Sequence, residues 1–467
     1  MENQLKQDII IIAAASLAAL HGAYIGNVTP IALPQMATVF GLSNIMQNWV
    51  TNIFLLTMAI FAIPFGKLCG KYGIKKTFLW SLILMLIGTI GTPLSNTIPL
   101  LFLFRIIQGI GGAGLCVDTI LMITEAITTT NRGQALGINV SCVYIGIALA
   151  PVIGGILTYH YGWASIFWIM VPVMIINIIL LLFIKDEWIK GANEKFDWKG
   201  STIFAVGILL LIYGFSTLNT IQGLIITLIG IILLILFAKM EINTNQPAFD
   251  INLYKNKKFL SSNLASILSY IATFVVSTIL NYNLQYIRGF NTEITGLLLI
   301  VTPLMMAIVS PFSGKLSDKF DPQKISAIGM GIVTIGLLLI IPLNKTTPLY
   351  VIIISMFLQG IGYGLFASPN VNTIMSSVPP KDTPMASSAV ATMRIIGQTA
   401  SVGILTTIFA LIMGNVIIKP SNFPGLIFSS QITLLITTII SILCVLMCLI
   451  GYKSGDKLFT DSKRIDK

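Results

Sequence analysis

The sequence predicts an all-α polytopic membrane protein with fourteen spanning helices, and three observations carry that prediction. First, 55% of the 467 residues are hydrophobic and only 10% are charged, far from the balance of a soluble globular chain. Second, apolar runs of about 18 or more residues recur from end to end, each long enough to cross the hydrocarbon core as a helix. Third, these runs are continuous. Transmembrane strands would alternate in short segments, and an open sheet could not satisfy its edge hydrogen bonds in lipid.

The apolar runs place the spans near 9–33, 46–66, 77–96, 99–124, 135–158 and 164–184. Two follow near 199–218 and 221–238, and six more near 259–286, 294–314, 324–342, 347–372, 387–413 and 427–452. Reading 198–238 as a surface segment would leave twelve, but its apolar content argues for two spans. The first run is too long, and too marked by Gly and Pro, for a cleaved signal peptide, so it is read as the first span.

The net charge of +11 is explained by topology. With both termini in the cytoplasm, the inner segments hold 23 of the 28 Lys and Arg residues. Outer loops then hold Arg288, Lys345 and Lys419, while Arg105 and Arg394 fall inside spans. That asymmetry follows the positive-inside rule, and a missed helix would scramble it. The basic balance is therefore assigned to topology and to anionic membrane lipids, with no nucleic-acid partner. The five cysteines lie in or beside apolar runs without metal-ligand spacing.

The chain repeats itself. GKLCGKYGIKK, beginning at Gly66, returns as GKLSDKFDPQK at Gly314, and RIIQGIGGAG with Gln108 returns as MFLQGIGYG with Gln359. The offsets, 248 and 251 residues, nearly agree. The expected organisation is a six-helix half over 1–184, a linker with two extra helices over 185–258, a second six-helix half over 259–452 and a cytoplasmic tail over 453–467. Such internal repeats are how many transporters build alternating access around a site between halves.

The stretch 105–155 is central. It reads RIIQGIGGAG, then the lone Asp118, then NRGQALG and GIALAPVIGG. With the loop sequences at Gly66 and Gly314, and with NLQYIRGFNTEITGLLLIVTP and MASSAVATMRIIGQTASVGI, it resembles the major facilitator superfamily, and within it the fourteen-helix drug:proton antiporters. The resemblance covers essentially the whole chain. It implies a major facilitator fold of two six-helix halves plus two inserted linker helices, and a proton-driven exporter of amphipathic compounds. The chain departs from the family pattern in places. The loop signature's aspartate is Gly70 and its following arginine is Ile74. The second copy keeps Asp318 but has Pro322 at the arginine position. Ile25 stands where the family usually carries an aspartate, nine residues before Pro34 of IALP.

Ionisable groups inside a span mark function by default. Arg105 carries a permanent forked cation suited to a carboxylate, a carbonyl cluster or an anionic substrate, or it clamps backbone carbonyls. Asp118 is the only acid deep in a span and is a proton-carrier candidate. Glu125, seven residues on, shares its face. The alternative for both acids is pairing with Lys71 or Lys75 at the inner gate. Asp118 lies thirteen residues beyond Arg105, about 220° around the helix, so the two do not pair. His21, one turn from Ile25, could titrate in place of the missing carboxylate, or be a neutral, hydrogen-bonded histidine. Arg394 either lines the cavity or bonds helix ends. Polar residues that could line a pocket are Asn27, Asn139, Tyr144, Asn281, Tyr282, Gln285, Tyr363, Asn370 and Asn372, each of which could equally bond a neighbouring helix.

The gating candidates are Gly66, Lys67, Gly73 and Lys75 in the first loop signature and Gly314 and Asp318 in the second. Gly146, Pro151, Gly154 and Gly155 form a small-residue series that permits close helix approach and a bend. There is no phosphate-binding glycine loop, zinc-peptidase motif or nucleophile elbow, so no enzyme, metal or cofactor is expected. The expectation is a monomeric secondary transporter of the cell membrane, handling a small molecule and protons. A uniporter or dedicated metabolite carrier is the alternative, and a membrane-embedded enzyme or sensor is more remote.

Overall fold

The computed structural model describes residues 2–127, 132–189, 198–217, 220–242, 251–317, 320–379 and 383–465, and among them every regular element is helical. In order these are α1 Glu2–Phe40, α2 Asn44–Tyr72, α3 Ile74–Leu94, α4 Ile98–Ala126 and α5 Arg132–Tyr161. α6 spans Ser165–Phe183 and is broken at Ile169. The next pair is α7 Trp198–Ser216 and α8 Ile221–Ile242. α9 covers Lys257–Tyr282 and runs on as a π-turn over Asn283–Ile287. α10 comprises Thr292–Leu299 and Val301–Ser317, and α11 covers Pro322–Ile340. Last come α12 Leu349–Ser376, α13 Thr383–Ile412 and α14 Phe423–Ile465. Thirteen of these are long and apolar enough to cross a membrane, and the apolar part of α7, Lys199–Gly214, is the shorter fourteenth. The fourteen expected spans thus reappear in order, with α1 beginning earlier than expected.

Connections are tight. Gly41, Gly73, Gly162, Gly289 and Gly414 hold positive φ at turns. At Gly73 this ends α2 and starts α3 within one residue, and a Cβ there would also strike the Glu187 carboxylate. The segment after α6 folds onto that turn. The Ile74 N–H donates to the Trp188 carbonyl (3.1 Å), the Lys75 N–H to Glu187 Oε1 (2.9 Å), and Lys75 Nζ to the Ile184 carbonyl.

α1 packs on α5 and α4, α3 on α4, and α2 on α4. In the second set α11 packs on α12 and α14, α10 on α12, and α9 on α14 and α13. The inserted α7–α8 hairpin lies against α2 and α13. There Phe204, Ile208, Ile212 and Phe237 bury with Leu56, Ala59, Ala62 and Ile395. Its other face, with Ile221, Leu224, Ile225, Ile232 and Ile235, is exposed, as lipid-facing residues are.

Polar contacts between the first six and last six helices concentrate at the end of the bundle opposite the termini, called here the far end. Asn281 Nδ2 donates to the Pro30 carbonyl (2.6 Å) and Gln285 Nε2 to the Ile31 carbonyl (3.0 Å). Pro34 explains the first acceptor: it has no N–H to offer the carbonyl four residues back, so that of Pro30 is left for another helix. Tyr282 Oη donates to Asn48 and Tyr286 Oη to Gln47, both at 3.0 Å, and the Asn44 side chain donates to the Gly414 carbonyl (3.0 Å). A cavity of about 280 Å³ lies just outside, with Gln35, Thr158, Tyr159, Gln285 and Tyr286 among its walls.

Candidate substrate and proton sites

Three small-residue contacts govern how closely the helices approach. Gly146 faces the Leu20 carbonyl and Gly154 faces Val28 and Ile31, all on α1. Of the three glycines, only Gly155 faces the second set: a methyl there would fall 3.1 Å from Gly296 Cα on α10 and still closer to the Thr292 carbonyl oxygen. Gly296 in turn abuts the Pro151 carbonyl. The series expected to form one seam is therefore divided, because residue 155 lies 100° around α5 from residue 154.

Arg105 is the largest fully buried side chain. Its Nε donates to the Val50 carbonyl of α2 (3.0 Å) and one terminal nitrogen to Gln108 Oε1 (2.6 Å). Gln108 passes the chain on to Thr89 of α3 (2.9 Å), and the guanidinium lies 4.5 Å from the Phe54 ring centre. The geometry is the backbone clamp, with the other terminal nitrogen left without a partner.

Asp118 is fully buried on α4. Its carboxylate accepts from Cys69 Sγ of α2 (2.7 Å) and from Thr77 Oγ1 (3.1 Å) and Ser81 Oγ (2.8 Å) of α3. The expected pairing with Lys71 or Lys75 is not found. Lys71 lies over the Tyr72 ring and Lys75 turns to the Ile184 carbonyl, while three short neutral side chains reach the acid first. Both hydroxyls have a second acceptor on their own helix: the Thr77 carbonyl for Ser81 (2.8 Å) and the Gly73 carbonyl for Thr77 (2.9 Å). Glu125, half-buried, sits seven residues further along α4.

A second constellation lies between the two sets of helices. Arg394 of α13 is half-buried and directs one terminal nitrogen at Cys116 Sγ of α4 (3.5 Å). Tyr270 of α9 and Tyr363 of α12 stand beside it, their rings edge to face at 5.8 Å. Tyr144 of α5 reaches in from the first set, beside Ser310 of α10. Gly397, one turn from Arg394, lets α9 approach so closely that a methyl there would fall 2.7 Å from Tyr270 Cβ. No carboxylate among the described residues pairs with the guanidinium.

The remaining expectations divide. His21 and Ile25 are fully buried on α1, and neither ring nitrogen of His21 makes a well-formed hydrogen bond. Asn139 is buried with its amide nitrogen unpartnered. Asn281 and Gln285 belong to the far-end contacts and bond each other (2.6 Å). Two pocket candidates take the other role open to them, bonding backbone: Asn27, half-buried, donates to the Ala23 carbonyl of its own helix (2.8 Å), and Asn370, buried, donates to the Ser262 carbonyl of α9 (3.1 Å). Gly66 meets no neighbour, Gly314 faces Ser368, and Asp318 and the Lys67 side chain lie outside the described residues. Tyr270, Ser310, Cys116, Cys69, Thr77 and Ser81 were not singled out from sequence. Each is an ordinary residue of an apolar run until folding brings it to Asp118, Arg394 or Tyr144.

The comparisons with known proteins agree with this architecture. The family model described as Major Facilitator Superfamily matches residues 14–250 and 263–464. The Riboflavin transporter RibZ of Clostridioides difficile is 28% identical over 87% of this chain and 89% of its own length. Multidrug resistance protein 3 of Bacillus subtilis is 26% identical over 80% of this chain and 73% of its own length. Multidrug resistance protein Stp of Mycobacterium tuberculosis is 26% identical over 81% and 72%. Among solved structures, a bacterial homolog to the human lysosomal transporter Spinster, inward-facing and unoccupied, superposes with a TM-score of 0.67 at 15% identity. It covers 97% of this chain and 98% of its own. The D-xylose-proton symporter superposes at 0.64, also with 15% identity, over 92% and 97%. The chain belongs to the Major Facilitator Superfamily and is a multi-pass membrane transporter of small molecules, not an enzyme.

Proposed function

We infer that this transporter exports amphipathic small molecules across the cell membrane by alternating access, driven by protons that Asp118 carries. The one observation behind the proton step is the setting of Asp118: a fully buried carboxyl that accepts from two hydroxyls and a thiol. When it is ionised, Cys69, Thr77 and Ser81 all donate to it. When it is protonated, it donates to Ser81, whose own hydrogen turns to the Thr77 carbonyl, so hydroxyl rotation alone accommodates both states. A lysine or arginine partner would instead pin the charged form.

The near end, with both termini, is read as cytoplasmic from the distribution of lysines. The far-end contacts of α1 and α2 with α9 then form the outer seal, the Gly155–Gly296 approach its tightest point, and rocking of 1–184 against 259–452 opens it. Organic cargo is supported by relatives named for multidrug resistance and for riboflavin transport. The protein is taken to work as a monomer.

Proteoliposomes with an imposed pH gradient test the reading. Dye flux should follow the gradient in the wild type, and Asp118→Asn should abolish that dependence while leaving dye-for-dye exchange. Uniport is the second reading. It is favoured by Ile25, a fully buried apolar residue where the resemblance expects an acid. Flux in the wild type that ignores the gradient would establish it.

A further inference from the structure

The geometry points to Arg394 and its three tyrosines as a cargo site for planar aromatic compounds that carry an acidic group. This deepens the exporter reading by naming the chemistry of what is exported. Arg394 sits inside a span, between helices of the two sets, where an uncompensated cation is costly. The acid inside a nearby span, Asp118, is turned away toward Cys69, Thr77 and Ser81. Next to the guanidinium the chain supplies a thiol and phenols and no carboxylate among the described residues. A bound carboxylate, sulfonate or phosphate would fill that place, and a guanidinium binds such groups through two parallel hydrogen bonds.

The rings define the rest of the ligand. Tyr270 and Tyr363 present an edge-to-face pair beside the cation, and Tyr144 closes the site from α5. Such surfaces hold a flat aromatic body in offset or edge contact. A second observation supports the site: Tyr363 is only 6% exposed, yet its hydroxyl makes no well-formed hydrogen bond, the Tyr270 phenol beside it being out of good alignment. A buried hydroxyl left so is destabilising unless something fills the place. Because Arg394 and the rings come from helices of both sets, a ligand there touches whatever moves when the transporter switches, as cargo must.

The test compares two dyes of the same tricyclic shape and opposite charge, 5-carboxyfluorescein (anionic) and rhodamine 123 (cationic). Binding to the full-length protein in detergent is read by fluorescence anisotropy. The wild type should bind carboxyfluorescein about tenfold or more tighter than rhodamine 123, the scale of one charge-assisted hydrogen-bonded contact. Arg394→Gln should bring the two affinities to within about twofold, while Arg394→Lys, which keeps the charge, should keep the preference. Equal or tighter rhodamine binding by the wild type, no saturable carboxyfluorescein binding, or a preference that survives Arg394→Gln would each overturn the assignment. The wild-type comparison decides even where a variant fails to fold. A retained binding preference without gradient-driven flux in vesicles would defeat the exporter reading and leave this site standing.

Discussion

Gly155→Ala should loosen the far end of the bundle without unfolding it. The added methyl would stand 3.1 Å from Gly296 Cα and closer still to the Thr292 carbonyl oxygen, and both are backbone atoms that no rotamer change can move. Relief requires α5 and α10 to separate, which only the closed far end prevents. Overpacking of this kind costs about 1–3 kcal/mol, here charged against the far-end-closed state alone. That is a shift of about 5- to 150-fold in the ratio of open to closed. A cysteine at Thr158 reports it, because Thr158 is fully buried and forms part of the far-end cavity wall. Labelling of Thr158→Cys by a membrane-impermeant maleimide should speed up by that factor when Gly155→Ala is added. Three of the five native cysteines are buried and two are half-buried, which keeps the background low. An unchanged labelling rate in a correctly folded double variant would refute the claim that this contact is the tight point of closure.

Four further outcomes follow from the same structure. Pro34→Ala returns an N–H to the Pro30 carbonyl, which then competes with Asn281, so far-end labelling should rise several-fold, in line with membrane hydrogen bonds of about 0.6–1.7 kcal/mol. Arg105→Ala leaves the Val50 carbonyl and Gln108 without their donor, and should cost about 1–3 kcal/mol for each buried group, read as a lower unfolding temperature in detergent. An unaltered unfolding temperature would show that the clamp is idle. Asp118→Leu should destabilise α2–α3–α4 packing, whereas Asp118→Asn should fold normally yet lose gradient-driven flux; flux equal to the wild type would exclude Asp118 as the carrier. Glu293→Gln removes the acid that His160 approaches across the far end at 3.5 Å, and because His160 is half exposed and Glu293 one-third exposed it should change far-end labelling by no more than about fivefold.

Much of the molecule was legible from one dimension. The spans could be counted because lipid demands about 20 apolar residues per crossing, and lysines distribute themselves by side. The repeats of Gly66 at Gly314 and of Gln108 at Gln359 announced a duplicated architecture. That Arg105 and Asp118 would need buried partners was visible because an ionisable group in a span must be satisfied by something. Their partners were not. Whether a buried acid meets Lys75 or Cys69 depends on how α2, α3 and α4 are rotated about their axes, and an apolar run contains no record of that rotation.

The linear order of residues thus determined how many helices cross, which end holds the lysines and which few charges lie at membrane depth, since these follow from transfer free energies of single residues and short windows. Tertiary packing alone decided that Arg105 clamps a carbonyl, that Asn370 binds a neighbouring helix, that Gly155 and not Gly154 touches the second set, and that Arg394 stands among tyrosines from three other helices. These depend on contacts between positions one to several hundred residues apart, whose energies arise only once helices from both sets have come together.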